Sequence, residues 1–323
     1  MPLTDPEWSA SPLPAWGGAF VALVAVVAAR AYRIRQGEVA WQRDHPPGRD
    51  GIVPGAAGLA LDPAPAPGGP PSRAVLLIHG FGDTPQTVAR QAQALHQQGW
   101  TVRAPLLPGH GRSLAAFRAS NAGQWYGAAR DAYRTLCATH DSVAIVGLSM
   151  GGALATSLAA EAARRAGEGT PGWRAPSALV LVAPFLEVTA RGRVLTTLWP
   201  LWSLVRAWVP GRAEASIRDP RARAESLGYG VSTPRLLHQL RLVVDAARQA
   251  APQAQAPTLM LCSTSDYRVP RAAAERAYAR LGARDKALLW VERSGHVITV
   301  DYDADQVTAA IVDWLQRHAP AAS

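Results

Sequence analysis

The chain has 323 residues, 48% of them hydrophobic and 18% charged, which is room for one large α/β domain with additions and an ample core. The formal net charge is +9, but the basic residues are scattered, nearly all arginine, and accompanied by no basic cluster or recognition module, which argues against a nucleic-acid partner. Two cysteines, Cys137 and Cys262, are too few for a disulfide framework or a cysteine-ligated metal centre; both read as buried side chains, and no metal or cofactor is expected.

Residues 9–29 carry no charge, and the core of this run is Trp16-Gly17-Gly18-Ala19-Phe20-Val21-Ala22-Leu23-Val24-Ala25-Val26-Val27-Ala28-Ala29. About 20 apolar residues span a bilayer as a helix, so residues 1–35 read as a transmembrane segment, with membrane association through residues 13–32. Arg30, Arg33 and Arg35 follow the run, which by the positive-inside rule places the rest of the chain in the cytoplasm. Two alternatives stand beside this anchor. One is a cleaved signal peptide and a secreted product, although Asp5 and Glu7 occupy the place of the usual positive segment. The other is a helix lying on the protein's own surface. Residues 36–72, which include Pro63-Ala64-Pro65-Ala66-Pro67-Gly68-Gly69-Pro70-Pro71, read as an extended linker.

From residue 73 to 318, buried-strand runs alternate with helical stretches. Arg73-Ala74-Val75-Leu76-Leu77-Ile78 is the first such run and ends in His79-Gly80-Phe81-Gly82. A helix is predicted over 85–98 and a strand over 100–104, leading into Leu107-Pro108-Gly109-His110-Gly111. A helix over 125–139 precedes Ser142-Val143-Ala144-Ile145-Val146, and 178–184 is a further strand. The alternation breaks over about 186–256, a segment rich in tryptophan and read as a helical cap inserted over the site. It resumes with a strand at 257–262, a helix at 271–281, a strand at 287–291 and a helix at 303–318. The pattern predicts an α/β fold with a mostly parallel sheet covered by helices on both faces.

Gly147-Leu148-Ser149-Met150-Gly151 joins a strand to a good helix former, so Ser149 sits on a sharp turn with its hydroxyl exposed. A serine nucleophile needs a base, an orienting acid and an oxyanion hole. His296 follows one later strand and Asp266 another, and in a parallel sheet the carboxyl ends of the strands share one edge. Ser149, Asp266 and His296 are therefore the expected triad. Asp301, Asp303 and Asp305 compete with Asp266 but follow the histidine and are expected to solvate or cap the last helix. The Met150 N–H, at a helix N-terminus, and the Phe81 N–H, between two glycines, are the expected oxyanion donors. His79 and His110 read as residues that fix loop hydrogen bonds.

These motifs, with Ser294-Gly295-His296-Val297-Ile298-Thr299, resemble those of α/β-hydrolase carboxylesterases of the bacterial monoacylglycerol-lipase-like group, over residues 73–318. The resemblance implies cofactor-free hydrolysis of short or medium acyl esters, or of monoglycerides, with the same five residues in the same roles. Trp199, Trp202 and Trp208 in the inserted segment are candidate substrate-binding residues, lining an acyl site or touching a membrane, with core packing as the plainer alternative. An acyltransferase using the same triad, and a non-catalytic membrane-tethered binding protein on a hydrolase scaffold, are the competing functions.

Overall fold

The structure is a computed structural model that describes residues 15–63 and 73–319. Helix α1 (Ala15–Asp44) is followed by β1 (Leu59–Leu61), β2 (Arg73–Ile78), α2 (Ala89–Gln97) and β3 (Thr101–Ala104). Next come α3 (Leu114–Ala119), α4 (Ala122–Thr139), β4 (Ser142–Leu148), α5 (Met150–Gly167) and β5 (Leu179–Val182). The irregular stretch then holds α6 (Ala190–Thr197), α7 (Trp199–Ser203), β6 (Val209–Pro210), α8 (Ala213–Ser216), α9 (Pro220–Ala224), β7 (Val231–Ser232) and α10 (Pro234–Ala250). The chain closes with β8 (Thr258–Ser263), α11 (Arg271–Arg280), β9 (Lys286–Val291) and α12 (Ala304–His318).

Seven strands form one sheet in the order β1-β3-β2-β4-β5-β8-β9. All neighbours are parallel except β1, which pairs antiparallel with β3 at the edge. Side chains alternate between two apolar layers, as a strand buried on both faces requires. Leu76, Ile78, Ile145 and Leu181 point into the layer covered by α4, α5 and α10. Val75, Leu77, Val146 and Val182 point into the layer covered by α2 and α12. Cys137 and Cys262 lie buried, as expected. The carboxyl ends of β2, β4, β8 and β9 meet along one edge, and the loops that leave them carry the site.

The segment read as a linker holds the end of α1 and strand β1, while residues 64–72 lie outside the described part. β1 forms because Leu59, Ala60 and Leu61 pair with Ala104, Arg103 and Val102.

The membrane anchor requires correction. Among the described residues, no helix is long and apolar enough to cross a membrane. The run from Trp16 to Ala29 spans only about 21 Å as a helix, against roughly 30 Å of bilayer core. Past it α1 continues through Arg30, Arg33, Arg35 and Glu38 and turns onto the protein itself. Arg30 donates to the Ser203 carbonyl, Ile34 is buried, Glu38 lies 3.2 Å from Arg118, and the indole N–H of Trp208 donates to the Arg33 carbonyl at 3.2 Å. The cytoplasmic placement, which rested on the orientation of that anchor, falls with it. Residues 13 and 14 of the expected membrane segment lie outside the described part.

Candidate active site

Ser149 ends β4 and precedes α5 with φ 54° and ψ −114°, a conformation that costs a non-glycine residue energy and that its surroundings must enforce. The enforcement is steric. A β-carbon on Gly147 would lie 2.3 Å from the Gly151 carbonyl oxygen, and one on Gly151 would lie 2.1 Å from that of Ile78. Strand and helix can approach this closely only where both residues are glycine. The Ser149 N–H donates to Val182 O at 2.9 Å, which ties the turn to the neighbouring strand.

The three residues expected to converge do so. Ser149 Oγ is 2.7 Å from His296 Nε2, and His296 Nδ1 is 2.7 Å from Asp266 Oδ2. Since Asp266 Oδ2 can only accept from an imidazole N–H, Nδ1 carries the proton and Nε2 is left free to accept from the serine hydroxyl. Asp266 Oδ1 accepts from the N–H groups of Arg268 at 2.7 Å and Val269 at 3.1 Å, so the carboxylate is held in a fixed orientation. His296 and Asp266 are 4% and 7% exposed, which keeps water from competing for these bonds.

Asp301 and Asp303 have another use than the one expected. Asp303 Oδ2 accepts from the N–H groups of Arg293 and Ser294 and from the Ser294 hydroxyl, each at 2.9 Å. Asp301 accepts from Gly295 N–H at 2.7 Å and from those of Arg218 and Asp219 at 2.8 Å. The two carboxylates thus hold the loop that presents His296, and Asp301 joins it to the segment between β5 and β8. Asp305 pairs with Arg90 on the surface. The Ser216 carbonyl accepts from His296 N–H at 2.8 Å and Val297 N–H at 2.9 Å, bracing the histidine backbone.

The turn after β2 lies against the serine: a β-carbon on Gly80 would be 3.5 Å from Ser149 Cβ, and Phe81 lines the same cavity as Ser149. Met150, buried, opens α5, where helix N–H groups lack intrahelical partners. His79 is buried; its Nδ1–H donates to Gly80 O at 2.9 Å and its Nε2 accepts from Leu107 N–H at 3.1 Å. It therefore ties the Gly80–Gly82 turn to the loop after β3. Burial pushes its pKa down to about 4, so it is neutral at physiological pH. His110 packs edge-on at 5.0 Å from it, Nδ1 donating to Pro108 O, and burial holds it well below the ordinary histidine range.

A cavity of about 440 Å³ opens over Ser149 and His296. A second, of about 750 Å³, adjoins it through Phe185, Val209, Leu237 and Arg268. Trp202 and Trp208 line the second cavity and not the first. Trp199 lines neither; it stands 5.9 Å from the His238 ring beside a separate cleft with Arg30 and Arg235. Sequence reasoning missed four residues in the walls of the serine cavity: Asp83, Arg212, Arg223 and Arg268. Asp83 and Arg268 each sit within two residues of a motif, so the signal for them was position at the carboxyl end of a strand. Burial raises the Asp83 carboxyl to about 6, partly offset by the charges of Arg268 and His296.

Known proteins resemble this chain in sequence and in fold. The chain is 25% identical over 245 residues to a thermostable monoacylglycerol lipase of Bacillus sp. (strain H-257), covering 76% of this chain and 91% of the relative. It is 24% identical over 248 residues to a carboxylesterase of Bacillus subtilis (strain 168), covering 76% and 93%. Among solved structures it matches one from the metagenome-derived lipolytic enzymes LipS and LipT with TM-score 0.70 and 27% identity, covering 83% of this chain and all (100%) of the other. It shares its fold with the monoacylglycerol lipase of Paleococcus ferrophilus, with TM-score 0.65 and 19% identity over 81% and 98% of the two chains. The family model described as serine aminopeptidase, S33, matches residues 69–303. On that match, and on a serine elbow set in a mostly parallel α/β sheet, the chain belongs to the serine aminopeptidase S33 family of α/β-hydrolases.

Proposed function

We propose that this protein hydrolyses carboxylic esters through an acyl-enzyme on Ser149. The enzyme is a carboxylic ester hydrolase, a reading supported by its carboxylesterase and monoacylglycerol lipase relatives. The observation that carries the mechanism is the unbroken chain of 2.7 Å contacts from Ser149 Oγ through the imidazole to Asp266. His296 Nε2 takes the serine proton as Oγ attacks the acyl carbon, and the imidazolium that forms is stabilised by Asp266. The N–H groups of Phe81 and Met150 receive the oxyanion. His296 then gives its proton to the departing alcohol, and water reverses the sequence to release the acid and free Ser149. The segment 186–256 serves as a cap, and the cavity lined by Trp202 and Trp208 accepts the acyl chain.

The test is hydrolysis of p-nitrophenyl esters from acetate to palmitate, and of a monoglyceride, by the wild type and Ser149→Ala. Serine-dependent turnover that peaks at medium or long chains is expected. Turnover confined to acetate would remove the acyl role of the second cavity, and turnover of no ester would remove the hydrolase reading.

A further inference from the structure

The serine cavity has an unusual charge balance. Arg212, Arg223 and Arg268 are in its walls, against one carboxyl outside the triad, Asp83. Several arginines nearby are neutralised, Arg193 and Arg241 by Asp245, Arg276 by Glu187 and Arg293 by Asp303, whereas Arg206 in the wall of the adjoining cavity has no such partner among the described residues. The three in the cavity form no ion pair among the described residues. They rest on neutral partners instead. Arg223 donates to the Ile217 carbonyl at 3.1 Å. Arg268 lies 3.2 Å from Ser216 Oγ and 5.1 Å over the Tyr267 ring, which Arg212 shares at 5.8 Å. Their charge therefore remains available to whatever enters. Arg268 also stands where the two cavities join, so an acyl chain passing from one to the other would run beside it.

We propose that the ester this enzyme takes carries an anionic group, a carboxylate or a phosphate, held by Arg212 and Arg268 in the wall of the serine cavity. The proposal rests on the ester-hydrolase reading and adds the substrate class to it. A concave wall with an excess of positive charge concentrates anionic ligands and offers a guanidinium fork to a planar or tetrahedral oxyanion. A substrate with a free amine would meet three guanidiniums and find Asp83 as its one partner, so the cavity disfavours amino-terminal peptide substrates.

The experiment compares matched esters in the full-length protein. p-Nitrophenyl butyrate against p-nitrophenyl hydrogen glutarate places a carboxylate on the acyl side. Phenyl butyrate against 4-butyryloxybenzoate and 4-butyryloxyphenyl phosphate places a carboxylate or a phosphate on the alcohol side. At least one anionic ester is expected to exceed its neutral partner by about tenfold in kcat/KM, chiefly through KM. That ratio should shrink as salt is raised in the wild type, and fall towards one in Arg212→Gln/Arg268→Gln. The arm that shows the preference identifies the side and the kind of anion. Neutral esters turned over as well as every anionic partner, or a ratio indifferent to both salt and the double substitution, would overturn the proposal while leaving the esterase intact. If no ester of any kind were cleaved, the hydrolase reading would fail and this inference with it.

Discussion

Gly151 is pressed so close to the Ile78 carbonyl that a β-carbon added to it would lie 2.1 Å from the oxygen. The obstacle is backbone at the carboxyl end of β2, an inner strand of the sheet, which cannot swing aside as a flexible side chain would. Gly151→Ala is therefore expected to cost about 3 kcal/mol or more, at the upper end of overpacking penalties. Equilibrium urea unfolding measures it. A loss below 1 kcal/mol, on the order of a tolerated core change, would mean that α5 can withdraw from β2 without cost.

The hydrogen bonds around His296 predict unequal losses within the triad. Ser149→Ala removes the nucleophile and should reduce kcat by about 10⁶-fold. Asp266→Asn keeps the shape but offers His296 Nδ1 either an N–H or a weaker acceptor, so the imidazole tautomer that frees Nε2 is lost. About a 10⁴-fold fall in kcat is expected, with the melting temperature little changed. If Asp266→Asn retained a tenth of wild-type kcat, the acid would have to be sought elsewhere in the loop.

The convergence of Ser149, Asp266 and His296 was legible in the sequence because each sits just past a strand, in a short motif whose geometry is local: the elbow at Ser149, the loop at Asp266 and the Ser294–His296 turn. What holds these loops was not legible. Asp301 and Asp303 looked like solvated or capping residues, but they accept from Gly295 and Ser294 within the histidine loop, and Asp301 also from Arg218, a contact that exists only once the segment between β5 and β8 has folded back. Asp83, Arg212 and Arg268 were missed because the cavity wall assembles from segments far apart in the chain. The misreading of α1 has a different cause. An apolar run reports composition, and whether the helix spans or docks depends on where Ile34, Glu38 and Trp41 land beyond the run.

One buried group and one partly exposed group give the stability opposite slopes against pH. His79 is held neutral with its pKa lowered to about 4 from 6.5. Protonating it would abolish the bond from Leu107 N–H, so its contribution is complete above pH 6.5 and is lost as pH falls towards 4. The shift corresponds to about 3 kcal/mol. Asp83, raised to about 6 from 3.8, works the other way: the folded state holds its proton more tightly, so stability falls as pH rises from about 4 to 6. Asp83→Asn should therefore stabilise the protein at pH 8, by about 2 kcal/mol given its partial exposure, and the gain should vanish near pH 3.5. Unfolding free energies across this range read both effects. A gain from Asp83→Asn that persisted undiminished into acid would show that the carboxyl is not buried against its charge.

A stack of aromatic rings, two of its three contacts tilted, connects α1 to the Gly80–Gly82 turn. Trp41 lies 4.8 Å from Tyr229, Tyr229 lies 4.6 Å from Phe117, and Phe117 lies 5.2 Å from Phe81. The Tyr229 hydroxyl donates to Gly109 O at 2.8 Å and accepts from Arg112 N–H at 3.1 Å, fixing the middle of the stack to the loop after β3. Removing the Trp41 indole leaves a void at the α1 end and frees Tyr229 to tilt. Trp41→Ala should cost about 2 kcal/mol, less than a fully buried tryptophan because its ring is half-buried. Because the last ring belongs to Phe81, kcat should fall about fivefold in the same variant, as loosened positioning of a transition-state contact does. Trp41→Phe, which keeps a ring in the stack, should recover most of both losses. Melting temperature and kcat measured on the three proteins separate the possibilities. A lowered melting temperature with kcat unchanged would confine α1 to bracing the fold, whereas joint loss and joint rescue would make this helix part of what positions the Gly80–Gly82 turn.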